Sequence, residues 1–393
     1  MSDSHQAVQK LYDAYPFPPD PLSDEPPPGY NWRWSWTAAH SFCTGRTPDR
    51  QDIRILDAGC GTGSGTDYLV HQNPEAQVTA VDLSSGALAV AKERCQRSGA
   101  KGVTFAQMTL ETAAEELEGQ FEFINCVGVL HHLPDPVAGI QALAKKLAPG
   151  GLLHIFVYAE LGRWEIQLMQ EAIALLQGER RGDYTDGIQV GREIFETLPE
   201  DNPLVQRERT RWAGENQRDE CFADMYVHPQ ETDYNLQSLF QLIDASGLEF
   251  VGFSNPQFWQ LERLLGQSAD LSSRGAQLSE RDRYRLIELL DPKSVTHYEF
   301  FLTNPPLERI DWSDDAVLLA AHAQVYPCLQ GWPSQTFFDK DFQLVRLTPP
   351  EYAFLQACDA QPTQTIAAQL AATDADLELV RSLWGRQLLI LTP

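Results

Sequence analysis

Strand and helix patterns alternate from residue 53 to residue 158, and a glycine-rich turn joins the first strand to the first helix. Two further strand patterns follow an interruption. Together these predict an α/β fold, a largely parallel sheet with helices on both faces. The 393 residues are too many for one average domain and suit a large domain with a smaller one. At 43% hydrophobic and 22% charged, the chain can bury a sizeable core.

Residues 1–50 read as an irregular, aromatic and proline-rich arm. Tyr15-Pro-Phe-Pro-Pro19 and Pro26-Pro-Pro-Gly29 are incompatible with a helix interior. Three tryptophans alternate in Tyr30-Asn-Trp-Arg-Trp-Ser-Trp36, which suits an arm packed on the main domain, a lid over a cleft, or both. Residues 51–309 form the main domain. Its first strand covers 53–57, its second 77–81, its third 103–107 and its fourth 121–127. Ser84 caps a helix that runs to about Arg97, and a helix over 136–147 closes at Pro149-Gly150-Gly151. The fifth strand covers 152–158. Residues 160–230 are a polar helical insertion, a helix over 231–245 restores the rhythm, and 256–293 are a second helical insertion. Strands over 248–253 and 296–303 end the sheet as a hairpin-like pair, giving seven. The insertions should stand over the carboxyl ends of the strands, where open sheets bind ligands. Residues 310–393 read as a small separate α/β module, with helices beginning in 347–355, over 363–370 and over 376–384, and a strand over 388–391. The pattern is winged-helix-like.

The net charge of −25 repels phosphate backbones, which argues against nucleic acid as a partner. The seven cysteines, at 43, 60, 95, 126, 221, 328 and 358, include no C-x-x-C pair; several lie in apolar runs. Buried, reduced thiols and a cytoplasmic location are expected, with no metal site. The first residues are polar and not signal-like, and no stretch approaches a membrane span.

The chemistry is concentrated in Asp57-Ala-Gly59-Cys-Gly61-Thr-Gly63, between a strand and a helix. Small residues let the backbone approach a ligand, and the helix start offers free amide donors. A dinucleotide site would need G-x-G-x-x-G; here the third glycine comes one residue early. The loop therefore suits a ligand without a pyrophosphate, and the Asp57 carboxylate could meet a cationic amine. Asp82 closes the second strand, where a carboxylate can accept from both hydroxyls of a ribose.

On these residues the chain resembles the class I S-adenosylmethionine-dependent methyltransferases, closely over 53–158 and in outline over 231–303. The resemblance implies a Rossmann-like seven-stranded methyltransferase sheet with S-adenosyl-L-methionine as cofactor. Asp57, Gly59, Cys60, Gly61 and Gly63 would hold its methionine and sugar, and Asp82 with Leu83 its ribose. An acid common near the adenine is replaced by Thr109, in Gln107-Met-Thr-Leu110, so Thr109 and Leu110 are the expected contacts there. Val129-Leu-His-His-Leu-Pro-Asp135 matches a stretch common among small-molecule members of the family. The layout of arm, inserted core and small terminal domain is similar to that of the cyanobacterial phycobiliprotein β-subunit asparagine methyltransferases, which would imply N-methylation of a side-chain amide.

Methyl transfer needs an aligned acceptor, a dry site and, for many acceptors, a base. Asn125 and Cys126, ending the fourth strand, should lie beside the methyl group. His131 and His132 follow within a turn as candidate bases, though only one of two neighbours on a helix normally faces a cleft. Tyr158 and Glu160 end the fifth strand on the same edge, and Tyr226, His228 and Glu231 mark the return from the first insertion. Asn304-Pro-Pro306 reads as a turn, since the N-P-P-Y motif of amide and adenine N-methyltransferases follows the fourth strand. The acceptor stays open between a protein, such as a phycobiliprotein β subunit, and a small molecule of secondary or quinone-type metabolism. A cofactor-binding scaffold or sensor, and an oxidoreductase, are the rivals outside the class.

Overall fold

Alternating apolar residues on strands that are covered on both faces set the core of the molecule. The computed structural model describes residues 3–393, and seven strands form its main sheet: β1 (Arg54–Ala58), β2 (Gln77–Asp82), β3 (Val103–Gln107), β4 (Phe121–Val127), β5 (Leu147–Tyr158), β6 (Glu249–Phe253) and β7 (His297–Thr303). Their order is β3-β2-β1-β4-β5-β7-β6, with β7 alone antiparallel to its neighbours. Successive residues face opposite layers, as the two-residue period requires. Ile55, Phe123 and Leu152 enter a core shared with Trp32 and Trp36. Leu56, Ile124 and Leu153 enter the core on the other side, with Leu143, Leu239 and Phe300.

The arm is more ordered than its prolines suggest, a correction to the expected irregular segment. It contains α1 (Asp3–Ala14), a single 3-10 turn at Trp32–Trp34 and α2 (Trp36–Thr44). Val8 and Leu11, three apart, bury one face of α1, and Leu11 joins the core of the first insertion. The alternating tryptophans are not a strand: Asn31, before the first, and Ser35, before the last, cap the two helical pieces.

Crossover helices follow: α3 (Ser64–Gln72), α4 (Ser85–Ser98), α5 (Leu110–Glu116) and α6 (Pro136–Lys146). Pro149-Gly150-Gly151 does not close α6 but lies within β5. The turn after β7 holds it there: Gly150 N–H donates to the Asn304 carbonyl at 2.6 Å, and Asn304 Nδ2 to the Leu147 carbonyl at 2.8 Å. The first insertion is helical, with α7 (Trp164–Gln177), α8 (Tyr184–Thr197), α9 (Pro203–Arg211) and α10 (Asp219–Tyr226). The helix expected from 231 starts later, as α11 (Leu236–Ser246). A capping box of Asn235 and Ser238 sets that start, and Tyr234 bridges Ala159 in extended form. The second insertion holds α12 (Glu262–Leu265), α13 (Ala269–Gly275) and α14 (Glu280–Leu290).

In the terminal module, the expected helices are α16 (Pro349–Ala360), α17 (Ile366–Ala371) and α18 (Leu377–Gly385), preceded by α15 (Asp315–Ala320). The final strand, β11 (Leu389–Thr392), pairs antiparallel with β8 (His322–Val325), and β9 (Thr336–Phe338) with β10 (Leu344–Arg346) forms a hairpin. The module has its own core around Phe354, Leu355 and Leu383. It also grips the arm: the Tyr30 ring stacks on Phe342 at 4.8 Å, and Trp312 Nε1 donates to the Gly45 carbonyl at 2.7 Å.

Candidate active site

The carboxyl ends of β1, β2 and β4 open into a cavity of ≈ 450 Å³. Among its wall residues are Asp57, Gly59, Cys60, Gly61, Asp82 and Leu83 from the first two strand ends, and Thr109, Leu110, Asn125, His132 and Tyr158 from those that follow.

The glycine loop is shaped by what crowds it. Gly61 has φ +53, and a Cβ there would stand 2.5 Å from the Phe17 carbonyl oxygen of the arm. Its N–H donates to Asp82 Oδ2 at 2.8 Å, and Ser84 N–H donates to Oδ1 at 2.8 Å. Burial, foremost, pushes the Asp82 carboxyl up, and nearby Asp13 adds to it while the backbone donors oppose. Asp57 is held at both oxygens, by Thr66 Oγ1 at 2.6 Å and Asn125 Nδ2 at 2.8 Å. Burial raises its pKa to about 6, with Asp82 adding and the two hydrogen bonds opposing. A buried carboxylate, Asp57, and a half-buried one, Asp82, both border the cavity and fit a cationic amine and a pair of ribose hydroxyls.

Gly63 and Cys126 stand elsewhere. Gly63 caps α3 at φ +80, and a Cβ there would meet the Ala91 backbone at 2.8 Å, so its place is the tight contact of α3 with α4. Cys126 is on the opposite face of β4 from Asn125 and is sealed in the core. Thr109 borders the cavity but is occupied in capping α5, accepting from Thr112 N–H at 3.2 Å.

Of the two adjacent histidines, His132 borders the cavity and His131 does not. His131 is fully buried against the Tyr158 ring, at 4.0 Å between centroids, and its ring nitrogens have no hydrogen-bond partner among the described residues. His132 Nδ1 lies 3.1 Å from the Gln230 carbonyl. A carbonyl only accepts, so Nδ1 carries the hydrogen and Nε2 the lone pair. Burial lowers the His132 pKa to about 4, with Asp224 and the Gln230 contact pulling it back up, so the ring is neutral at pH 7. His228 stacks on it at 3.8 Å. Tyr158 lies under the Arg163 guanidinium, 3.4 Å from its ring centroid, and burial drives its hydroxyl pKa up.

Glu160, Tyr226 and Glu231 are in structural bonds outside this cavity: Glu160 accepts from Asn235 at 2.7 Å, Tyr226 donates to Glu208 at 2.6 Å, and Glu231 pairs with Arg163 at 3.2 Å.

Reading the sequence missed Asp224 on α10 and Tyr12 on α1 at the cavity wall; Phe17 and Trp34, also at the wall, belong to the arm expected to pack on the domain or cover a cleft. Tyr12 donates to Asp224 Oδ1 at 2.8 Å. The available signal for Tyr12 was its place four residues after Val8 on the apolar stripe of 3–14; for Asp224, a lone acid between Phe222, Ala223 and Tyr226 on the buried face of α10.

A family model described as a methyltransferase domain matches residues 56–153, the stretch that builds β1 to β5 and the cavity floor. The chain is a class I S-adenosylmethionine-dependent methyltransferase. An uncharacterized protein of Synechococcus sp. is 59% identical to this methyltransferase over 397 residues, covering all of this chain and 95% of that one. The uncharacterized phycocyanin operon protein W of Pseudanabaena tenuis is 69% identical over 100 residues, 25% of this chain and 94% of that protein. The ubiquinone biosynthesis O-methyltransferase of Paracidovorax citrulli is 35% identical over 101 residues, 26% of this chain and 42% of that one. PKMT2 from Rickettsia typhi, solved in complex with AdoHcy, shares the fold, with a TM-score of 0.62 at 15% identity, covering 93% of this chain and 77% of that one. Among the described residues, no helix is long and apolar enough to cross a membrane and no cluster of side chains could hold a metal ion.

Proposed function

We propose that this methyltransferase modifies a side-chain amide nitrogen of a phycobiliprotein. The observation that carries the reading is the 69% identity to a phycocyanin operon protein across 94% of that protein's length. The cavity is compatible in kind, since an amide needs groups that bind its N–H and carbonyl, and His132 and Tyr158 stand at the wall.

Asp57 and Asp82, with Gly61 and Leu83, would hold S-adenosylmethionine, and Met108, Thr109 and Leu110 would flank its base. Bound there, the cofactor supplies a methyl group activated on a sulfonium. Transfer of that methyl group to the acceptor nitrogen would leave the carbon–sulfur electron pair with the departing sulfur and an N–H proton to be removed. His132 Nε2 takes the N–H proton. Asp224, held by Tyr12, faces the imidazolium so formed and stabilises it. The arm and the first insertion exclude water from above, through Phe17, Trp34 and Asp224.

The test is to incubate the enzyme with labelled S-adenosylmethionine and isolated phycocyanin, then map the label. A methyl group on an asparagine nitrogen is the expected result; label on phycocyanin at no amide, or none at all, would exclude it. A small-molecule acceptor is the second reading, favoured by the 35% identity to a ubiquinone biosynthesis O-methyltransferase. Label in a small-molecule extract and none in phycocyanin would establish it.

A further inference from the structure

A line of polar side chains crosses the sheet beneath the cavity, where apolar packing would be the ordinary solution. Asp57 on β1, Asn125 on β4 and His154 on β5 occupy paired register positions on three neighbouring strands, and none is more than 3% exposed. Asp57 Oδ1 accepts from Asn125 Nδ2 at 2.8 Å. An ionised carboxylate only accepts, so the amide must turn its nitrogen toward Asp57 and its oxygen away. That oxygen lies 2.9 Å from His154 Nδ1, which therefore carries a hydrogen. On the other edge of the ring, His154 Nε2 lies 3.2 Å from Glu299 Oε1 on β7. Glu299 is fixed in turn by Ser254 Oγ at 2.8 Å and by Arg33 Nε of the arm at 2.6 Å.

We propose that His154 is a positioning residue for cofactor binding: through its Nδ1–H it locks the Asn125 carboxamide, and through that the Asp57 carboxylate, in the geometry that receives the cofactor's amine. The proposal rests on the assignment of Asp57 and Asp82 to the cofactor; it is independent of the acceptor. Without the lock, the Asn125 amide is free to turn its oxygen toward Asp57, where two acceptors repel. Asp57 would then lose one of the two donors that offset its burial, keeping only Thr66. The other titratable groups within electrostatic reach of it are Asp82 on β2, which already opposes its charge, and the thiols of Cys60, Cys95 and, across the sheet, Cys126, all pushed up by burial and uncharged.

The alternative is that His154 only fills space, and three substitutions in the full chain separate the two. Asparagine at 154 places an amide nitrogen near the position of Nδ1, glutamine reaches toward that of Nε2, and leucine offers neither. S-adenosylmethionine binding is measured by calorimetry without acceptor, from about pH 5 to about pH 9, alongside Asp82→Ala, with circular dichroism to verify folding. His154→Gln and His154→Leu should weaken binding about tenfold at neutral pH and move its acid-side loss upward by about one pH unit. His154→Asn should stay within about threefold of the parent and keep its pH profile. Equal affinity in all three variants, or a His154→Asn loss as large as that of His154→Gln, overturns the proposal. If the leucine variant fails to fold, the asparagine–glutamine contrast carries the test. Full binding by Asp82→Ala overturns the cofactor assignment and this proposal with it; loss in Asp82→Ala with unchanged His154 variants overturns the role of His154 alone.

Discussion

The Tyr12 hydroxyl donates to Asp224 Oδ1 across 2.8 Å, tying the arm to the first insertion at the cavity wall. Burial pushes the Asp224 carboxyl up, while His132 and the Tyr12 hydrogen bond hold it down. Tyr12→Phe removes that donor and keeps the ring. The expected outcome is a kcat about tenfold lower with the cofactor Kd unchanged, read from steady-state kinetics and calorimetry on one preparation.

His131 and His132 should separate cleanly. His132→Ala removes the neutral base and should lower kcat by about 10²-fold or more. His131→Phe replaces a sealed imidazole, unpartnered among the described residues, by a ring that needs no partner. It should keep kcat within about threefold and raise stability by about 1 kcal/mol, measured by urea unfolding. Equal loss of kcat in both variants would mean the cavity face has been misassigned.

Cofactor affinity should fall in acid. The amine needs an ionised Asp57, and burial has raised that carboxyl to about 6. Binding is then full above about pH 7 and weakens as pH drops through about 6, where an unperturbed carboxylate would hold to about 4. A flat affinity from about pH 8 to about pH 5 would contradict this. Asp82→Ala should abolish binding at every pH while the fold survives.

Glu299 makes a stability prediction of the acid kind. Its pKa is held at about 2, below the ordinary 4.5: burial pushes it up, but the His154 hydrogen bond and Arg33 outweigh that. A folded pKa below the unfolded one stabilises above pH 4.5, and that contribution is lost as pH falls toward about 2. Wild type should exceed Glu299→Gln by about 2–3 kcal/mol at neutral pH, the gap closing through that window in denaturant titrations.

Gly63→Ala should destabilise without touching the cavity. The position has φ +80 and faces the Ala91 backbone, so strain and collision together cost at least about 2 kcal/mol. Thermal unfolding measures the loss; cofactor affinity in the folded fraction should be unchanged.

Much of this was legible in the sequence because it is local. The seven strands, the glycine turn and Asp82 follow from short patterns with a period of two or a fixed spacing. The misplacements come from faces and partners. Cys126 and Asn125 are neighbours in sequence, yet only one meets the cavity, because strand alternation sends the other into the core. Pro149-Gly150-Gly151 looked like a helix stop until the turn at Asn304 drew it into β5. Tyr12 and Asp224 lie 212 positions apart, and no local rule joins them. The prolines at 16, 18 and 19 masked α1, which ends before them.

Arg33 pairs with Glu299 at 2.6 Å and reaches toward Asp341, and Phe17 and Pro18 present their carbonyls to Thr62. Phe17 and Pro18 are thus anchored close by in the chain, whereas Trp32 and Arg33 are fastened to residues translated some 300 positions later. During synthesis the glycine loop and the Phe17–Pro18 strap can fold long before Trp32 and Arg33 are anchored, so competence for methyl transfer should arrive late, with the emergence of the terminal module from the ribosome.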